Sequence, residues 1–301
     1  MMDGYGHPGY AASLAEFGNV KKLSACGGWI LKRPIPGFSS YDGMGCYPLF
    51  TCHDWSMIQS DLERVGHELV AISLVTDPFG ECTSTVLEKC FDRVLHFKEH
   101  FIVDLYRPAD TFISKHHRYY ARKAGQDVSV ECTAEPERFI DEWSRLYGHL
   151  ISRHHLTGIK CFSRQCFAQQ LRVPGIVMFQ AFTRGNLVGA HLWYKQGEIA
   201  YSHLAAMNPL GYELMASYAL YWYAIEYFSG KVRWLDLGSA AGVESKNAAG
   251  LDSFKKGWST GTRTAYLCGR IFDRVKYEEI TRSKGIKATN YFPAYRRGEF
   301  I

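Results

Sequence analysis

The chain has 301 residues, 47% of them hydrophobic and 22% charged, and a formal net charge of +5. That composition excludes a disordered chain, and the length is enough for two domains at about 100–200 residues each. The mild positive charge tolerates an anionic ligand such as a nucleotide, CoA or tRNA without demanding one. The nine cysteines are scattered and odd in number, with Cys161 and Cys166 the one close pair. Neither a disulfide framework nor a metal site is therefore expected. The N-terminal segment lacks a basic stretch ahead of an apolar one. No apolar run reaches about 18 residues, so no membrane insertion is expected and the chain reads as cytoplasmic.

In chain order, a helical patch is expected over 11–17, a strand over 29–32 and a Pro- and Gly-rich loop over 34–47. Trp55, Ile58, Leu62 and Val65 recur at helical spacing behind His53 or Asp54 as a cap. A buried strand over 67–76, a helix over 83–97 and a strand over 100–105 complete an alternation that argues α/β. Within residues 112–128 a helix ending at Gly125 is expected. Its cations Lys115, Arg118, Arg122 and Lys123, set among His116, His117, Tyr119 and Tyr120, suit either a phosphate-bearing ligand or a solvated face. A short strand over 128–132 precedes a helix that carries Phe139, Trp143, Leu146, Tyr147 and Leu150 as its stripe.

The second half carries clearer signals. Strands over 176–182, 187–194 and 199–206 are separated by the turns Arg184-Gly185-Asn186 and Lys195-Gln196-Gly197-Glu198, which makes an antiparallel meander. An almost wholly apolar helix over 212–228 must be buried. A strand over 232–237 ends at an acid, Asp236, and opens into a polar loop over 240–249. A short helix near 253–257 and a strand over 264–271 follow, and a charged, aromatic tail is expected to pack back on the body.

A buried strand that stops at an acid and a glycine places polar groups at a sheet edge, where ligands of α/β proteins bind. Lys255, between Phe254 and Trp258, is suited to hold an oxyanion. Transfer of an acyl group to an amine needs a proton acceptor. Asp236, Glu213 and His203, which shares the strand face of Tyr201, are the candidates. Each also has a structural reading: a loop cap, a helix-terminus partner and a core histidine, respectively. Adjacent histidines diverge on a helix, so His116-His117 and His154-His155 are not read as metal ligands, and Cys161 lacks the base of a nucleophile.

The order of three strands, helix, strand, helix, strand resembles the C-terminal part of a GNAT-type acyltransferase domain. In that fold two strands splay to receive a pantetheine arm, and the next helix offers free N–H groups to a pyrophosphate. Residues Ala206, Met207, Asn208, Gly211 and Tyr212 occupy that place, although the usual glycine-rich pyrophosphate loop is absent.

Three segments also resemble the Fem family of peptidoglycan-bridge acyltransferases and its FemAB-like relatives. They are the basic helix from Ser114 to Gly125, the meander with its helix, and DLGS followed by SFKKGW. The family's arginine after the glycine of its "F-G-R-S" is Ser239 here.

The resemblance implies an α/β fold of two GNAT-like acyl-CoA N-acyltransferase domains in tandem. They are placed at 1–130 and 131–271, with the tail 272–301 packing on the first. It implies acyl transfer from acyl-CoA, such as acetyl-CoA, to a small-molecule or peptide-like amine. Aminoacyl-tRNA as donor is one alternative, and a non-catalytic binding protein on the same scaffold is another. Lys255, Asp236 and His203 are then the catalytic candidates, and Arg118, Tyr201, Ser239, Phe254 and Trp258 the substrate-binding ones.

Overall fold

The computed structural model describes residues 2–239, 248–287 and 289–299. Much of the polar loop expected over 240–249 lies outside them.

In chain order the helices are α1 (Pro8–Ser13), α2 (Ile58–Gly66), α3 (Ser84–Cys90), α4 (Ala109–Phe112), α5 (Lys115–Ala124), α6 (Ile140–His154), α7 (Arg164–Gln170), α8 (Pro209–Glu213), α9 (Ala216–Phe228), α10 (Ala248–Lys256) and α11 (Arg274–Ser283). The strands are β1 (Asn19–Lys22), β2 (Trp29–Pro34), β3 (Tyr41–Gly45), β4 (Ala71–Val75), β5 (Arg93–Asp104), β6 (Ser129–Thr133), β7 (Ile176–Thr183), β8 (Asn186–Gln196), β9 (Ile199–Met207), β10 (Trp234–Asp236) and β11 (Gly261–Ile271).

The chain divides into two compact units, one of residues 1–4 and 99–263, the other of 5–98 and 264–301. In the second, β1, β2 and β3 are an antiparallel meander. Helix α2 then leads to β4, which runs parallel to β3, and β11 pairs antiparallel to β4. The first repeats the pattern: β7, β8 and β9 form the meander, α8 and α9 lead to β10 parallel to β9, and β5 pairs antiparallel to β10. Strand β6 adds to the outer side of β7. Both units thus have the mixed α/β architecture expected from the sequence.

Elements that the sequence misassigned are instructive. The stretch 41–45 is a strand, not a loop. A Cβ on Gly43 would lie 2.9 Å from Leu69, and one on Gly45 would lie 2.8 Å from Leu74. The glycines that read as a turn instead let β3 lie close against its neighbours.

The helix expected over 83–97 stops at Cys90, capped by Thr83, and residues from Arg93 onward are strand. Val94 and Phe97 fit a helical stripe, but they belong to the long β5.

The buried helix expected over 212–228 is broken in two. Met215 takes a left-handed φ of 56°, uncommon for a residue with a side chain, and separates α8 from α9.

In the first unit, α9 packs on the meander, α6 packs on it as well, and α7 packs on α6. Strand alternation assigns them opposite faces. Trp193 meets Tyr221 of α9, whereas the next residue, Tyr194, donates its hydroxyl to the carbonyl of Gln170 on α7. In the second unit, Arg296 of the C-terminal segment holds the buried Asp42 of β3 through two contacts of 2.7 and 2.9 Å. Burial raises the Asp42 pKa, and the hydrogen bond from Arg296 opposes that rise.

Candidate functional site

The candidate site is a gap in the first unit's sheet. Strand β10 pairs with β9 through Trp234↔Ile199, Leu235↔Ala200 and Asp236↔Tyr201 and then stops, while β9 continues to Met207. Beyond Asp236 the chain stays with β5: Leu237 donates to the Phe101 carbonyl at 2.8 Å and Phe101 to the Gly238 carbonyl at 3.1 Å. From Ser202 onward, β9 has strand pairing among the described residues only on its β8 side. Its other edge presents backbone groups that a bound amide could satisfy.

At the mouth of this gap stands Gly238, in left-handed conformation with φ 73°. Its N–H donates to Asp236 Oδ1 at 2.7 Å. A Cβ placed on it would lie 3.2 Å from Lys255 Nζ. Lys255 is 8% exposed and donates to the Ser239 carbonyl at 2.7 Å. Lys255, Asp236 and Ser239, singled out from the sequence, are therefore brought together.

Asp236 is 2% exposed and its carboxylate holds a partner the sequence did not reveal. His100 on β5 places Nδ1 at 2.9 and 3.0 Å from the two carboxylate oxygens. The partners are 136 positions apart. A lone histidine in a strand gives no periodic signal, so nothing in the sequence pointed to it.

His203 lies elsewhere. The β8–β9 register shifts between Leu192 and Trp193, so Leu192 pairs with Leu204 and Trp193 with Ser202, leaving His203 unmatched. It does share the face of Tyr201. On that face Nε2 meets Gln170 Oε1 at 3.2 Å, and the ring packs on Tyr194 with centroids 5.0 Å apart. Burial pushes its pKa down to about 3, so it is a neutral imidazole.

On the other face, His191 Nε2 contacts Ser202 Oγ at 2.8 Å, and Ser202 also hydrogen-bonds Tyr221. Burial first, then Lys255 and His203, push the His191 pKa down to about 3. Burial lifts the Tyr221 hydroxyl to about 12.

Helix α10 carries Lys255 and is fixed by the basic helix. His117 on α5 bonds Ser114 Oγ at 2.7 Å through Nδ1 and the Phe254 carbonyl at 2.8 Å through Nε2. Ser114 N–H donates to the Gly257 carbonyl at 3.0 Å. Phe254 lies against His117, Tyr218 and Tyr221, and Trp258 is fully buried against His117 and Tyr221. Phe254 and Trp258 thus anchor the helix that presents Lys255. Arg118 is half-buried and donates to the Asp110 carbonyl at 3.3 Å, whereas Lys115, Arg122 and Lys123 are exposed.

Ala206 and Met207 end β9 and are buried. Asn208 caps α8, its Oδ1 accepting from the Gly211 N–H at 2.8 Å. A Cβ on Gly211 would lie 2.2 Å from the Val188 carbonyl, so this glycine is required by close packing. Tyr212 stacks under the Arg153 guanidinium, 4.1 Å from its ring centroid.

Among the described residues, no group of three or more His, Cys, Asp or Glu could hold a metal ion. No helix there is long and apolar enough to cross a membrane.

Residues 113–255 match the Acetyltransferase (GNAT) domain family. No curated protein matches the sequence. Among solved structures, FemX shares the fold at a TM-score of 0.66 and 13% identity, over 91% of this chain and 93% of that one. The C-terminal domain of a putative lysylphosphatidylglycerol synthetase from Agrobacterium fabrum aligns at 0.61 and 14%, over 89% and 88%. L-PGS from Bacillus licheniformis aligns at 0.56 and 16%, over 88% and 92%. The resemblance to Fem-type proteins holds at the level of the fold, a GNAT architecture.

Proposed function

We propose that this GNAT-fold chain is an N-acyltransferase that moves an acyl group from an activated thioester or ester to an amine. The observation that carries the reading is the parting of β9 and β10 beyond Asp236 and Tyr201, with Lys255 Nζ beside the glycine at the gap. An extended donor arm with amide groups would pair with the open edge of β9 from Ser202 to Met207. The donor carbonyl would then face Lys255.

The amine nitrogen attacks the carbonyl carbon. A C–N bond forms, the C–S or C–O bond to the leaving group breaks, and the carbonyl oxygen carries negative charge in between. The ammonium of Lys255, held by the Ser239 carbonyl, would stabilise that oxyanion by its charge. A prepositioned cation of this kind contributes about 10²–10³ in rate. In this reading Phe254 and Trp258 hold Lys255 in place, and Tyr201, Ser239 and Arg118 are the candidates for binding the acceptor.

Acyl-CoA is the first donor considered, with its pantetheine against 202–207 and its pyrophosphate near Asn208, Gly211 and Tyr212. One observation favours the alternative, an aminoacyl ester on tRNA. The Gly211 N–H is already taken by Asn208, and the Gly211 Cα packs on the Val188 carbonyl. That arrangement leaves little for a pyrophosphate. The exposed cations of α5 suit a larger polyanion.

Two donors, acetyl-CoA and lysyl-tRNA, are to be offered with a panel of primary amines, following amide formation and leaving-group release. Turnover with one donor identifies it. Failure of both donors to be consumed contradicts the reading.

A further inference from the structure

We infer that His100, oriented by Asp236, is the general base that takes the proton from the attacking amine. The inference rests on the acyl-transfer reading and adds the proton acceptor that Lys255, a cation, does not supply.

The first support is the tautomer. An ionised carboxylate only accepts hydrogen bonds. Both Asp236 oxygens lie within 3.0 Å of His100 Nδ1, so the ring carries its proton on Nδ1. In the neutral ring so oriented, Nε2 is the nitrogen that can accept a proton. The Gly238 N–H, 2.7 Å from Oδ1, fixes the carboxylate from its other side.

The second support is contrast with the other buried histidines of this unit. His117 has both nitrogens engaged, by Ser114 and by the Phe254 carbonyl, the pattern of a structural histidine. His191 and His203 are pushed down to about 3 by burial, and a base so weak cannot take an amine proton near neutrality. His100 is instead clamped on a carboxylate. Its Nε2 has no hydrogen-bond partner among the described residues.

The third support is position. Gly238 donates its N–H to Asp236, accepts from Phe101, the residue after His100, and turns its Cα toward Lys255 Nζ. Proton acceptor and oxyanion donor therefore border one glycine, at the point where β10 leaves β9. In the step, the amine nitrogen forms its bond to the carbonyl carbon and its proton passes to His100 Nε2. The imidazolium formed is stabilised by Asp236, and as the C–S or C–O bond breaks it returns that proton to the leaving thiolate or alkoxide.

The test has two arms. Nitrogen-15 NMR of the histidine side chains of the full chain, needing no substrate, reads the tautomer. A His100 ring protonated on Nδ1 and bare on Nε2 is expected, and the reverse tautomer overturns the assignment. In the second arm, His100→Gln and His100→Ala are assayed with acetyl-CoA or lysyl-tRNA and primary amines. A fall of about 10²–10⁴-fold in kcat with little change in KM is expected, and added imidazole should restore part of the rate to His100→Ala. Wild-type kcat in His100→Gln, or no rescue of His100→Ala, overturns the role while leaving acyl transfer intact. A wild-type chain that consumes neither donor overturns the acyl-transfer reading itself, and the base role falls with it even if the tautomer is as expected.

Discussion

The imidazole of His117 fills the space that a side chain at position 257 would need: a Cβ on Gly257 would lie 2.0–2.4 Å from three of its ring atoms. This contact explains why a glycine interrupts FKKGW. The ring docks over the backbone at 257, reaches the Phe254 carbonyl, and locks the last turn of α10 to α5. Gly257→Ala should therefore destabilise the chain by about 1–3 kcal/mol through overpacking, read by urea denaturation. The pair His117→Ala with Gly257→Ala should be less destabilised than the sum of the two single changes. Strict additivity would contradict the contact.

The same glycine shows how much of the site was legible. FKKGW stood out in the sequence, and Lys255 with it, because two aromatics flanking a lysine signal a fixed cation. What fixes that cation was not legible, since His117 lies more than a hundred positions away. The meander was readable from its turns and β-branched runs, and α9 from its apolar composition. Strand β3 was hidden because Gly43 and Gly45 mark close approach to Leu69 and Leu74, which in sequence looks the same as a turn. The break at Met215 was hidden because a left-handed residue with a side chain leaves no compositional mark. His203 was correctly placed on the face of Tyr201, but Gln170 holds it there.

Gly238 should tolerate no side chain. Its φ of 73° disfavours other residues, and a Cβ would press on Lys255 Nζ. Gly238→Ala should cost about 1 kcal/mol of stability but reduce acyl transfer disproportionately by displacing the ammonium. Equal kcat in Gly238→Ala and wild type would show that the lysine's place does not depend on this turn.

Acid should unfold the chain through its buried histidines. The folded-state pKa of His191 is about 3, below the ordinary value of 6.5. The unfolded chain therefore binds the proton more readily. The stability this contributes is full above pH 6.5 and is lost as pH falls toward 3. His191 alone should remove about 1.4 kcal/mol per pH unit below 6.5, and His203 acts in the same direction. Denaturant midpoints between pH 7 and pH 5 check this, and a flat profile would contradict buried neutral histidines.

In the other unit, Arg296→Met should be strongly destabilising, by about 3–5 kcal/mol. It removes the two-point contact on Asp42, which is fully buried, and leaves the Arg33 Nε at 3.6 Å as the nearest cation. Adding Asp42→Asn should recover part of the loss. A thermal melt of the two variants decides it.

The account turns on Lys255 acting at the gap between β9 and β10. Its most direct test compares initial rates of amide formation by the wild type and by Lys255→Ala, with acetyl-CoA or lysyl-tRNA as donor. Melting curves confirm that the variant stays folded. The account predicts a folded Lys255→Ala whose rate is lower by about 10²–10³-fold; a folded variant that transfers as fast as wild type would contradict it.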